Sequence, residues 1–191
     1  FMCGSGTLLI EAGMMARNIA PNKLRKRFGF ESWNDFDATL WKKVKQDAIA
    51  AEIETPGLKI YGGDISGVVL DKARQNIENA GLRDLIHLKK TPFERFTPVG
   101  ETGTMITNPP YGLRIEPADI MSMYQSMGDV MKQKFKGWTC WIFTGNLEVA
   151  KFIGLRPTRK ILLYNGPLEC RFLKFQIYDG TKKIHKLNKE S

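Results

Sequence analysis

Two histidines and three cysteines are all that the 191 residues offer to a soft metal ion. His87 and His185 stand alone, and Cys3, Cys140 and Cys170 are far apart, with no Cys-x-x-Cys and no Cys/His cluster. A zinc-type site is therefore not expected, and three cysteines cannot all pair within one chain. A reducing cytoplasm and no structural metal are the simplest reading. No apolar run approaches the ~18 residues that cross a bilayer, so no membrane partner is expected. The opening, Phe1-Met2-Cys3-Gly4-Ser5-Gly6, has no basic segment followed by an apolar one, as a secretory leader would. Phe1 reads instead as the middle of a strand, which predicts a fragment of a longer protein. Neither an internal repeat nor a linker-like stretch interrupts residues 1–191, so they read as a single domain.

Acidic residues are outnumbered. The chain has 29 Lys and Arg against 20 Asp and Glu, a net charge of +9. The excess is densest from Lys23 to Lys45 and again after Lys151, where ten Lys and Arg face three Asp and Glu. With 42% hydrophobic residues the chain is globular rather than disordered. A basic globular surface suits a polyanion such as RNA or DNA.

The most specific stretch is Thr107-Asn108-Pro109-Pro110-Tyr111-Gly112. It follows Thr104-Met105-Ile106, a short apolar run that reads as a buried strand. The two prolines remove two backbone donors and fix two φ angles, so the loop is stiff. Asn108, preceding a proline, is biased to an extended conformation. Such a loop can hold a flat, amine-bearing ring between hydrogen-bond acceptors and an aromatic face. Asn-Pro and Tyr-Gly taken singly are turn dipeptides, but the whole tetrad after a strand is more specific.

Other elements follow in order. Cys3-Gly4-Ser5-Gly6-Thr7 predicts a strand-to-helix turn, with Leu8, Leu9, Ala12, Met15 and Ala16 on the inner face of the helix. Glycines allow close backbone approach, and the helix start offers N–H groups to anionic atoms. A nicotinamide-binding turn would carry a third glycine where Leu9 stands and an acid about 20 residues on. The first suitable acid is Asp64, beyond an insertion that interleaves Phe28, Phe30, Trp33 and Trp41 with basic residues. This argues against a dehydrogenase. The aromatics read as a cover for the sheet, or alternatively as an RNA-facing flap.

Lys59–Ile65 reads as the second strand. Ser66 then caps a helix whose stripe is Val69, Ala73, Ile77 and Ala80 and which Gly81 ends. Asp64, at the strand's carboxyl end, can accept both hydroxyl hydrogens of a ribose, with Ile65 against an adenine face. Leu85–Lys89 predicts a third strand, followed by Thr91-Pro92-Phe93-Glu94. Ile120, Tyr124, Met127, Met131 and Phe135 recur at helical spacing. Trp138–Thr144 predicts a fifth strand and Leu147–Ile153 a short helix. Asn165-Gly166 is a hairpin signal between Ile161–Tyr164 and Glu169–Ile177. Ile184–Ser191 reads as a polar, mobile tail.

This order of motifs resembles that of class I methyltransferases. Asn-Pro-Pro-Tyr is the motif of those that methylate exocyclic amines or the glutamine side-chain amide. The closer resemblance is to the bacterial guanine-N2 methyltransferases of large-subunit ribosomal RNA, the RlmL type with an N-terminal THUMP domain. Besides Cys3–Ala12 and Asn108–Gly112, it rests on Phe28-Gly29-Phe30-Glu31-x-Trp33, Leu40-Trp41 and Tyr164-Asn165-Gly166-Pro167-Leu168-Glu169-Cys170. It implies a Rossmann-like α/β fold. The expected sheet is mostly parallel and seven-stranded, with a C-terminal antiparallel hairpin, helices on both faces and a truncated first strand. The implied cofactor is S-adenosylmethionine, held by Cys3, Gly4, Ser5, Gly6, Thr7, Asp64, Ile65, Thr91, Phe93 and Asn108. Catalysis falls to Asn108, Pro109, Pro110 and Tyr111. The family usually has an aspartate after the third strand, where this chain has Thr91, with Glu94 as a displaced substitute. The implied partner is large-subunit ribosomal RNA, with no obligate protein partner and a THUMP domain upstream. The alternatives are a DNA adenine-N6 methyltransferase and a non-catalytic RNA-binding or cofactor-sensing module.

Overall fold

The structure, a computed structural model, describes residues 1–110 and 116–180. The chain forms two compact units. One comprises Phe1–Cys3, Gly63–Gly67 and Lys89–Ser191; the other Gly4–Gly62 and Val68–Leu88.

In the first unit a four-stranded sheet is built from β3 (Thr104–Thr107), β4 (Thr139–Thr144), β5 (Arg159–Asn165) and β6 (Leu168–Gln176). Its spatial order is β3-β4-β6-β5. β3 and β4 are parallel, with Thr107 beside Ile142, whereas β6 runs antiparallel to both β4 and β5. Helix α4 (Pro117–Lys134) has Pro at its first position, Asp119 in its first turn and Lys132 and Lys134 in its last. Each choice suits the helix end that it occupies. α4 buries Ile120, Tyr124, Met127, Val130 and Met131 in one core with Cys140, Ile142, Leu173 and Phe175. Its stripe is the one that the helical spacing predicts. Gly128 is required by close approach: a Cβ there would stand 1.8 Å from the Ile153 carbonyl oxygen. Ile153 ends the short segment formed by α5 (Leu147–Ala150) and a 3-10 turn, and Asn146 Oδ1 caps α5 by accepting the Val149 N–H at 3.0 Å.

The second unit holds α1 (Thr7–Ala16), α2 (Ala38–Ala50) and nearly all of α3 (Gly67–Asn79). Its core is Ile77, Leu82, Leu85 and Ile86, packed by Leu9, Ile10, Met14, Ile19 and Leu88. Asp37 Oδ1 caps α2 by accepting the N–H groups of Thr39 and Leu40 at 2.8 and 2.9 Å. Arg17 pairs with Asp84 and lies 3.8 Å from Glu54.

β1 (Ile60–Asp64) and β2 (Ile86–Lys90) form a two-stranded sheet and each runs from the second unit into the first. Ile60 N donates to Leu85 O at one end and Thr91 N to Asp64 O at the other. The residue numbers rise together, so the pair is parallel.

Four expectations are corrected. The described residues hold six strands in two sheets, with parallel and antiparallel pairs mixed, not one mostly parallel seven-stranded sheet. Phe1–Met2 is no strand, because Met2 sits at φ 55, outside strand geometry. The inner face of α1 is also rotated from the one expected. Leu9, Ile10, Gly13 and Met14 turn inward, and Met15 is 80% exposed. The phase is set at the turn, where Gly6 (φ 88) would bring a Cβ to 3.4 Å from that of Ala73. Finally, β3 is buried on one side only: Met105 and Thr107 face the core and Ile106 is 42% exposed. The expected tail, 184–191, lies outside the described residues.

Candidate active site

In the first unit, the ends of β1 and β3 are tied to the segment Phe1–Cys3, and the end of β2 is tied to that of β1. The Cys3 N–H donates to the Gly63 carbonyl at 3.0 Å, next to Asp64 at the end of β1. The Thr91 N–H donates to the Asp64 carbonyl at 3.0 Å, joining the end of β2 to that of β1. The Thr107 hydroxyl, buried at the end of β3, donates to the Phe1 carbonyl at 2.8 Å. Asp64, Thr91 and Asn108 therefore leave strand ends that are linked by backbone hydrogen bonds and the Thr107 hydroxyl. Carboxyl ends of strands in open α/β sheets are where such folds bind ligands.

Each side chain has its own environment. Asp64 Oδ1 accepts the Ser66 N–H at 3.0 Å, which closes the turn into α3. Ile65 is 69% exposed, an apolar side chain set beside a carboxylate. The Cys3 thiol is pushed above its ordinary pKa by burial first and by the Asp64 carboxylate second. Thr91 is buried, and its hydroxyl donates to the Pro92 carbonyl at 3.2 Å. Phe93 opens a 3-10 turn and packs at 5.5 Å on the Phe1 ring. Glu94 is exposed, and its carbonyl accepts Lys134 Nζ at 2.6 Å.

Asn108 is exposed and Pro109 buried, so the loop's asparagine faces outward from an anchored proline. The next anchor is not apparent from the motif. Tyr124 of α4, fully buried, lies with its hydroxyl 2.8 Å from Thr144 Oγ1 and 3.5 Å from the Pro110 carbonyl. A carbonyl only accepts, so the Tyr124 hydroxyl donates to Pro110 and receives from Thr144. Thr144 Oγ1 in turn accepts the Asn146 N–H at 3.1 Å. The contact to Pro110 is long for an O–H···O bond, but it is the polar end of an otherwise apolar stripe. Its sequence signal is that a buried tyrosine tip needs a partner. Burial raises the Tyr124 pKa, so the hydroxyl keeps its proton. Tyr111 lies outside the described residues.

Gly4, Ser5, Gly6 and Thr7 belong to the second unit. Gly4 has φ 56, and a Cβ built on it would meet no atom within 4 Å, so open space lies over the turn. No side chain caps the start of α1, which leaves it suited to an anionic ligand. The Ser5 carbonyl is held by Asn76 Nδ2 at 3.0 Å.

Among the described residues, no three His, Cys, Asp or Glu side chains are grouped to hold a metal, and no two cysteines form a disulfide. Burial pushes the Cys140 thiol up to about 12. No described helix is long and apolar enough to cross a membrane.

Comparison with known proteins decides the family. The RMKL-like methyltransferase domain, UPF0020, matches residues 2–174. The chain belongs to this family. Among curated relatives of this methyltransferase domain, slr0064 of Synechocystis sp., an RNA methyltransferase by name, is 41% identical over 93% of the chain. The ribosomal RNA large subunit methyltransferase K/L of Shewanella baltica is 38% identical over 95% of the chain. The chain spans 46% of the first relative's length and 26% of the second's. Among solved structures, SMU.472, a methyltransferase by name and complexed with SAH, has a TM-score of 0.84 at 32% identity. That match covers 94% of this chain and 48% of the other. A protein from Listeria monocytogenes, described as an N6-adenine-specific DNA methylase, has a TM-score of 0.79 at 31% identity and covers 94% of this chain and 45% of its own.

Proposed function

We propose that the chain is the methyl-transferring part of an RNA guanine-N2 methyltransferase that acts on large-subunit ribosomal RNA with S-adenosylmethionine as donor. The observation that carries this reading is the linkage of Asp64 and Asn108, each leaving a strand end, through the segment Phe1–Cys3. The names of the relatives support the substrate, and the bound SAH in SMU.472 supports the cofactor. The share of the relatives that the chain spans supports a longer parent. In this reading residues 1–191 are one catalytic domain of that parent, with a THUMP domain upstream.

The residues present fit the cofactor. Asp64 offers a carboxylate to ribose hydroxyls, and exposed Ile65 offers an apolar face to adenine. The open turn at Gly4 and the uncapped start of α1 suit the anionic amino-acid end. Thr91 is the weakest member of the set, since its hydroxyl already donates to Pro92; Phe93 supplies an apolar edge nearby in sequence. When bound, S-adenosylmethionine supplies an electrophilic methyl group on a sulfonium.

The protein's task is then to aim a poor nucleophile. The lone pair of an exocyclic guanine amine is delocalised into the ring. Asn108 Oδ1 and the Pro109 carbonyl accept its two N–H bonds, favour a more tetrahedral nitrogen and direct the lone pair. Pro110 stiffens the loop, and Tyr111 stacks on the base. Positioning and fixed dipoles supply most of the rate. No strong base is needed, because the amine becomes acidic once methylated.

The deciding experiment incubates the intact protein with unmodified ribosomal RNA and radiolabelled S-adenosylmethionine, then digests the RNA to nucleosides. Label in N2-methylguanosine is the expected result. The name of the Listeria structure favours a second reading, adenine-N6 methylation of DNA. Label in N6-methyl-2′-deoxyadenosine from a DNA substrate, with none from RNA, would establish that one instead.

A further inference from the structure

Helix α2 is anomalous in the second unit. Its 13 residues include none that is buried. An isolated helix of that length is marginal in water, so α2 depends on what its side chains meet outside its own backbone. Part of the answer is a set of rings. Phe28 and Phe30 stack with centroids 5.4 Å apart. Trp41 of α2 meets both edge-on, at 5.4 and 4.9 Å, and Trp33 meets Phe30 at 6.3 Å. These aromatics pack on one another, yet Trp33 stays 68% exposed and Leu40 and Val44 are exposed beside them.

The rim of this surface is cationic. Arg25 lies over the Phe28 ring at 5.0 Å and Lys45 over the Trp41 ring at 5.3 Å. Between Lys23 and Lys45 there are seven Lys and Arg against three Asp and Glu. Lys23 is paired with Glu52 and Lys43 with Asp47. Arg25, Lys26, Arg27, Lys42 and Lys45 have no acidic partner among the described residues.

We propose that the surface formed by Trp33, the start of α2 and these cations is a docking site for single-stranded RNA. An exposed ring, Trp33, beside half-buried rings and cations without acidic partners is what single strands use: bases stack on rings and phosphates meet the charges. A protein partner would leave five unpaired cations to neutralise; a phosphate backbone neutralises them itself. The partner's class rests on the RNA-methyltransferase reading, whereas the surface itself does not.

The test is fluorescence anisotropy of a labelled oligouridylate, and of a duplex of equal length, with the intact protein. Trp33→Ala removes one exposed ring. Lys42→Glu with Lys45→Glu reverses two charges, and Lys72→Glu on α3 is a single charge-reversal control elsewhere on the same unit. S-adenosylhomocysteine binding and thermal melting are measured for every variant. The expected result is single-strand affinity lowered roughly tenfold by Trp33→Ala, a stacking loss. The double reversal lowers the log–log salt slope by about 0.7 for each phosphate that is no longer neutralised. Lys72→Glu and duplex binding change little. Equal affinity in Trp33→Ala, the double reversal and the control would overturn the proposal. So would destabilisation of the intact protein with RNA affinity unchanged, which would mark the surface as a protein–protein contact. If these variants behave as expected and no RNA is methylated, the docking site stands and the functional reading fails. If RNA is methylated and the affinities do not move, only the docking site fails.

Discussion

Tyr124 of α4 and Thr144 at the end of β4 share a 2.8 Å hydrogen bond between two hydroxyls that solvent does not reach. The pair joins the Pro110 carbonyl to the Asn146 N–H, so the stiff loop after β3 is held from behind by the turn after β4. Tyr124→Phe deletes only the shared hydroxyl. It is expected to cost about 1–3 kcal/mol, the usual penalty for leaving buried partners unpaired, read by urea unfolding. Methyl transfer by the folded variant should fall, but by less than in Asn108→Ala. Full stability and full turnover in Tyr124→Phe would show that the network does not hold the loop.

Asp64 closes one turn and is proposed to bind ribose, and the two roles separate by substitution. Its Oδ1 closes the turn into α3, and its charge is assigned to ribose. Asp64→Asn keeps an acceptor for the Ser66 N–H, whereas Asp64→Ala removes both. Hydrogen bonds to charged groups contribute about 1.5–3 kcal/mol. Calorimetry with S-adenosylhomocysteine should therefore show binding weakened by roughly ten- to a hundredfold in both variants, with melting lowered only in Asp64→Ala. Unchanged affinity in Asp64→Asn would remove the ribose role.

Gly128 tests the packing of the first unit. Alanine there places a Cβ against the Ile153 carbonyl, a backbone atom that cannot swing aside. A loss of about 1–3 kcal/mol or more is expected in denaturant unfolding, as for other overpacked cores. Gly29→Ala is the control, since a Cβ there meets nothing within 4 Å.

The Arg17–Asp84 pair predicts how stability varies with acid. The hydrogen bond from Arg17 holds the Asp84 carboxyl below its ordinary range. A group with a depressed folded pKa stabilises above its unfolded value and loses that contribution as pH falls. The stability difference between the parent and Asp84→Asn should be largest near neutrality. It should shrink on acidification below about 4, the unperturbed aspartate value. A difference that grows with acid would contradict this.

What was legible in the sequence followed local rules. The stripe Ile120, Tyr124, Met127, Met131 and Phe135 is buried as its spacing requires, and Asp64 and Asn108 lie at or just past strand ends. The phase of α1 was not legible, because the turn at Gly6 sets it, and Leu8, Leu9, Ile10, Met14 and Met15 spread apolar side chains around the helix. The alternation in β3 was hidden because Met105 and Ile106 are equally apolar, and only one meets α4's core. The link from Tyr124 to Pro110 and Thr144 joins residues 14 and 20 positions away. It depends on how α4 and β4 pack, which no local pattern encodes. The aromatics read as a sheet cover or an RNA-facing flap contact one another, which their spacing alone does not reveal.

The central claim is that Asn108 and Tyr111 present an exocyclic amine to the methyl donor. Single-turnover methyl transfer to unmodified ribosomal RNA tests it in the intact protein and in Asn108→Ala, Tyr111→Phe and Tyr111→Ala, each first checked for folding. Losing one preorganised polar contact of this kind typically lowers turnover by roughly 10²–10³-fold, and that fall is predicted for Asn108→Ala with S-adenosylhomocysteine affinity largely kept. Tyr111→Phe should retain most activity and Tyr111→Ala should lose it, because the ring makes the stack. Methyl transfer at the parental rate in Asn108→Ala would contradict the account.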